Sequence, residues 1–158
     1  MDDLEKTLLT TILKGNWALT NDLAKAKITF TRTVYRAEGG GTFETPRIEV
    51  THGLGSPPAR REQEVSEIFD YYATIRVYKW SKGTDDTDIT TAKDVKWQMM
   101  EEVKRIIGLY DPKTGSKDLP TNWKDILVTT FRSIDVTELK RPLLGEEFTV
   151  RIKFWWSP

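Results

Sequence analysis

The side chains suited to chemistry are few. Asp85, Asp86 and Asp88 stand together just before a helical stretch. Three carboxylates offer the oxygen ligands that Mg²⁺ or Ca²⁺ takes. An EF-hand loop also needs glycine at its sixth position and glutamate at its twelfth, and neither register fits. Asp and Thr are equally what a turn entering a helix N-terminus prefers, and that second reading is the stronger. Gly39-Gly40-Gly41-Thr42 has the look of a phosphate loop. That motif needs a lysine before the hydroxyl residue and a helix after it, whereas here Phe43 and Pro46 follow. A flexible hinge is the better reading. Asp111-Pro112-Lys113-Thr114-Gly115 approaches the aspartyl-phosphate motif of ion pumps, but Pro112 interrupts it and the rest of a pump is missing.

His52 is the only histidine and there is no cysteine. Disulfides, thiolate metal sites and cysteine nucleophiles are excluded, and a two- or three-histidine metal site cannot be built. His52 as general base would need its own pocket, since nearby Glu49, Thr51 and Ser56 do not amount to triad geometry. A surface or interface role suits it better. No catalytic motif emerges, so the chain reads as a non-enzyme with no implied cofactor.

The remaining candidates are basic and aromatic. Arg60 and Arg61 lie beside Pro57 and Pro58 and precede Glu62, Glu64 and Glu67, a charge alternation that could reach a neighbouring subunit or simply be solvated. Arg76, Tyr78, Trp80, Arg151, Lys153 and Trp155 fall on the strand face away from the core. Basic residues interleaved with aromatics bind single-stranded nucleic acid, or line an oligomer interface, where Trp, Tyr and Arg are enriched. Twenty-four Lys and Arg against 24 Asp and Glu leave no net charge, which favours the interface. Two tryptophans at the chain end, Trp155 and Trp156, favour it too. Arg47, His52, Arg60, Arg61, Arg76, Tyr78, Trp80, Arg151, Lys153, Trp155 and Trp156 are therefore the candidate subunit or partner contacts.

The elements that must position these residues follow from periodicity. The 158 residues suit one domain, 1–158, at 38% hydrophobic and 30% charged. The opening stretch has acids where a secretory signal needs bases, and no run approaches the roughly 20 apolar residues that span a bilayer, so a soluble, cytoplasm-like chain with no membrane partner is expected. Leu4, Leu8, Leu9, Ile12 and Leu13 predict an amphipathic helix over 2–14. A short helical piece over 20–26 could follow. Residues 27–36 alternate as a strand, with Arg32 breaking the apolar face. A long loop at about 37–67, rich in glycine and proline, holds a short strand over 47–52. Such loops are usually functional or disordered. Residues 69–80 read as a long strand. Residues 91–110 read as the clearest helix, with Thr91 and Asp94 as a capping box and a stripe of Ala92, Val95, Met99, Val103, Ile106 and Tyr110. Lys93, Lys96, Glu101, Glu102 and Lys104 form its wet side. At 1.5 Å per residue it is about 30 Å long, enough to cross a sheet. Strands over 125–137 and 147–156 close the chain. In the first, Ile126, Val128, Thr130, Ile134 and Val136 share a side against Leu127, Thr129, Phe131 and Ser133. The fold class is α+β: a single mixed or antiparallel sheet, the long helix packed across it and a short N-terminal helix beside it.

This layout resembles the tail-terminator, or tail-completion, family of tailed bacteriophages and related proviruses. The corresponding parts are Leu4 to Leu13, Ile28 to Arg36, the loop Ala37 to Glu67, Tyr71 to Trp80, Thr91 to Tyr110, Ile126 to Val136 and Phe148 to Trp156. The triple glycine and the PRIEVTHGLGSPP segment depart from it and leave open a neighbouring head-completion or adaptor neck protein. The resemblance implies a virion protein of the tail and neck, assembled in the host cytoplasm. It implies a ring, typically a hexamer, that caps the tail tube and joins it to the neck or connector while double-stranded DNA passes through without sequence readout. The alternatives are a small nucleic-acid-binding domain using Arg76, Tyr78, Arg151, Lys153 and Trp155, and an enzyme built on the Asp85–Asp88 cluster or on His52.

Overall fold

The computed structural model describes residues 3–32, 45–52, 67–138 and 140–156. The triple glycine, residues 33–36 of the first strand, and Arg60 and Arg61 lie outside the described residues.

The fold is α+β, with one mixed five-stranded sheet in the order β1-β2-β3-β5-β4. The strands are β1 (Thr29–Arg32), β2 (Arg47–His52), β3 (Glu67–Trp80), β4 (Trp123–Ser133) and β5 (Leu143–Trp156). β1 runs parallel to β2, and every other pairing is antiparallel. Helix α1 opens with α-type hydrogen bonding over Leu4–Lys6 and continues with wider π-type bonding over Thr7–Lys14. Asp3 caps it by accepting from the Lys6 amide. Helix α2 spans Asp86–Gly108. α2 lies over β3, β5 and β4, and α1 over β1 and β2, so both cover the same face.

That inner face holds the core. Ile48 and Val50 of β2, Ala73, Ile75 and Val77 of β3, and Phe148, Val150 and Ile152 of β5 are fully buried against Leu8, Ile12, Met99, Val103 and Ile106 of the helices. Trp17 fills the corner beside β1. Its indole N–H donates to the Leu23 carbonyl at 2.8 Å, and its ring meets Phe30 edge-on at 5.5 Å.

Four local expectations change. Helix α2 begins at Asp86, five residues before the expected start, and Thr91 does not cap it: its hydroxyl donates back to the Thr87 carbonyl at 2.9 Å, inside the helix. Asp86 and Asp88 in the first turn complement the positive end of the helix dipole and favour the early start. The expected wet side of α2 is partly dry, with Glu102 buried and Lys96 nearly so. The helical piece over 20–26 is a single 3-10 turn, Lys25–Lys27. β4 changes phase at an irregularity between Val128 and Thr130, so Ile126, Val128 and Phe131 face the helices while Thr130 and Arg132 face out. One extra residue in a strand shifts every later side chain to the other face.

Candidate interaction surface

The outer face of the sheet, away from the helices, carries most of the candidate residues, and it divides into three parts. The middle is a row of charge running across the strands. Glu49 of β2 lies opposite Arg76 of β3, Arg76 opposite Glu147 of β5, and Glu147 opposite Arg132 of β4. Arg76 Nε donates to Glu147 at 2.7 Å, and Arg132 Nε donates to the other oxygen at 2.9 Å. Arg47 Nε donates to Glu49 at 2.7 Å. Burial pushes the Glu147 carboxyl up, but the hydrogen bonds and charges of Arg76 and Arg132 outweigh it and hold the group below the usual carboxylate range. The row alternates in sign, so the basic residues here do not form a positive patch.

At one end of the face, Tyr78 is buried over Gly145. A methyl group on Gly145 would stand 2.8 Å from Ile134 Cγ1 and 2.9 Å from Tyr78 Cδ1. The absence of a side chain there is what leaves room for the ring so close to the strand. Tyr78 is thus a packing residue of the outer face and offers no accessible ring. Trp80, half-buried, has the Arg141 guanidinium 5.7 Å from its ring centre.

The other end is open. β3 and β5 run past the end of β2, whose last residue, His52, pairs with Ala73. There Ile68 and Trp155 form an exposed cross-strand pair, with Leu127 also exposed on β4. Lys124 Nζ stands 5.6 Å from the Trp155 ring centre. Lys153 lies opposite both Asp70 and Asp125, and Arg151 approaches Asp125 at 3.6 Å. The Trp156 side chain lies outside the described residues.

His52 enters a different arrangement. Its Nδ1 is 2.7 Å from the Tyr71 hydroxyl, which donates to Glu5 at 2.6 Å. The other Glu5 oxygen accepts from Arg32 at 2.9 Å, and Arg32 also bonds Asp3. The chain of bonds ties α1 to β1, β2 and β3. Burial first, and then the hydrogen bond and charge of Glu5, push the Tyr71 hydroxyl far above the usual phenol range, so it stays neutral and is no base. Arg32, whose place on an apolar strand face looked anomalous, answers Glu5 of α1 and its cap residue Asp3. Neither acid could be assigned to it from sequence, because they lie 27 and 29 positions away.

Asp85, Asp86 and Asp88 lie at the start of α2, where they answer the helix dipole. Among the described residues, no group of three or more His, Asp or Glu side chains is placed to hold a metal ion, and no helix is long and apolar enough to cross a membrane.

The sequence reading missed a second exposed cluster. Trp97 of α2 and Phe131 of β4 are each 59% exposed. Lys104 Nζ lies between them, 5.8 Å from the first ring centre and 4.9 Å from the second, with Glu101 at 3.5 Å. Trp97 also walls an open recess of about 450 Å³ shared with Leu19, Gln98 and Glu102. The signal available was a tryptophan standing off the helix's apolar stripe. No protein-family model matches the chain, and no curated protein matches it.

Proposed function

We propose that this chain is a structural protein of a virus or provirus particle, a tail terminator whose copies form a ring that caps the tail tube and joins it to the neck. The observation that carries the reading is a single sheet with a strand edge left free at each lateral side, on β1 and on β4, among the described residues, one of them flanked by exposed aromatic side chains. Edge strands template pairing with further chains. Two different edges on one molecule make a head-to-tail contact, which generates a ring when the rotation closes. The outer face is neutralised by its own carboxylates, which suits protein contact and the passage of DNA without readout. The neck adaptor is a variant of the same reading.

Light scattering and negative-stain imaging of the purified protein, alone and with tail tube protein, test this. A defined closed oligomer, or rings seated on tube ends, is expected. Monomer under both conditions overturns it. A second reading, single-strand binding, draws support only from the open end, where Lys124 stands over Trp155 and Arg151 and Lys153 share its face of β5. A flat titration with single-stranded DNA at low salt removes it.

A further inference from the structure

We infer that neighbouring copies join edge to edge, β4 of one copy pairing antiparallel with β1 of the next, so that the sheet continues from copy to copy. The inference rests on the proposed self-assembly and names the surfaces that perform it.

Strand direction allows the join. β1 and β2 run together, β3 reverses, β5 reverses again and β4 reverses once more. β4 therefore runs opposite to β1, and copies repeated side by side bring the two edges together antiparallel. That is the pairing with the straighter hydrogen bonds.

Charge selects the register. The row Glu49–Arg76–Glu147–Arg132 ends in a positive group on β4, where the Arg132 side chain is 67% exposed. It ends in Glu49 on β2, whose Oε1 accepts from Arg47 and whose Oε2 is buried without a hydrogen-bond partner. Among the described residues, Thr31 of β1 is what lies beyond Glu49 at that level. Strands stand about 4.8 Å apart, so an Arg132 paired opposite Thr31 would have its Cα roughly 10 Å from that of Glu49. Glu49, sheltered in the single chain, then lies two strands from Arg132 on the same outer face. The alternation of sign then runs unbroken from one copy into the next.

The inner face agrees with the same register. Setting Arg132 opposite Thr31 sets Phe131 opposite Arg32 and diagonal to Phe30, all on the helix side of the sheet. Phe131, exposed in the single chain, gains a guanidinium and an aromatic ring as neighbours. One register thus satisfies both faces. That agreement is not guaranteed, because it depends on the phase change between Val128 and Thr130 of β4.

Introduced cysteines test the join directly, since the chain has none of its own. Thr31→Cys and Arg132→Cys in one molecule sit at opposite sides of the sheet, about 19 Å apart over four strand spacings. They are too far apart to bond within a chain. Under mild oxidation the double variant is expected to give a covalent ladder, dimer, trimer and upward. A mixture of the two single variants should give dimer alone, and each single variant by itself should stay monomeric on a non-reducing gel. Covalent dimer from Arg132→Cys alone means β4 pairs with β4 and overturns the inference. Oligomer by light scattering with no ladder overturns it and leaves the ring reading standing. Monomer by light scattering overturns both. Phe131→Asp, at an exposed position, provides a second measurement that does not depend on thiol chemistry. It is expected to weaken association at least tenfold, and unchanged association counts against the join.

Discussion

Removing the Glu147 carboxylate should expose how unequal its two arginines are. Glu147 is buried and accepts from Arg76 at 2.7 Å and from Arg132 at 2.9 Å. The distances are alike, but the Arg76 side chain is 19% exposed and that of Arg132 is 67% exposed. A charge-assisted bond between sheltered groups contributes about 1.5–3 kcal/mol, and an exposed ion pair roughly 0–1 kcal/mol. Glu147→Gln should therefore cost about 2–3 kcal/mol, a fall in Tm of roughly 4–12 °C for a chain of this size. Glu49, directly opposite Arg76, limits the loss. Urea unfolding of Glu147→Gln combined with Arg76→Gln, and separately with Arg132→Gln, gives the two coupling energies. The Arg76 coupling should be the larger by a factor of two or more. The pH dependence follows from the sign of the shift. The folded carboxyl titrates below its unfolded value of about 4.3, so its contribution is present above that pH and is lost as pH falls through the folded value. The gap between the native protein and Glu147→Gln should close on acidification from about pH 5 downward. A coupling to Arg132 equal to that of Arg76, or a gap that widens in acid, would refute this account.

Three further changes probe the packing around the sheet. Gly145→Ala forces a methyl group against Ile134 and Tyr78 and should destabilise by about 1–3 kcal/mol, read as a drop in urea midpoint. Lys96, 11% exposed, lies 3.0 Å from Asp135 and 3.5 Å from Glu146, so Lys96→Met strands two sheltered carboxylates and should cost about 3–5 kcal/mol at neutral pH by thermal unfolding. Tyr71→Phe removes the hydroxyl between Glu5 and His52 and should cost about 1–2 kcal/mol. Because the folded Tyr71 holds its proton above the unfolded phenol value of about 10, its contribution is full below that pH and is lost as pH rises beyond it. Alkaline unfolding of Tyr71→Phe should then show a shallower pH slope than that of the native protein.

Periodicity alone was enough to determine the class of this fold. Alternation in KITF, RIEVTH, YYATIRVYKW and EFTVRIKFWW, and the three-four stripe from Ala92 to Tyr110, each report a local repeat of side-chain direction, and that repeat exists before any tertiary contact. The same alternation put Arg76, Arg151, Lys153 and Trp155 on one face, where they are found. What those residues do on that face was not legible. Arg76 looked like part of a basic surface because Glu147, its partner, is 71 positions away. Tyr78 looked accessible because nothing local says that Gly145 faces it. Alternation set Phe131 on the side away from Ile126 and Val128, but it shares their side, because the phase is set by an irregularity in β4 seen in its pairing with β5. Burial, charge partners and which described strands lie at the sheet's edges are decided by which strands become neighbours. That depends on contacts between distant segments, which no window of sequence contains.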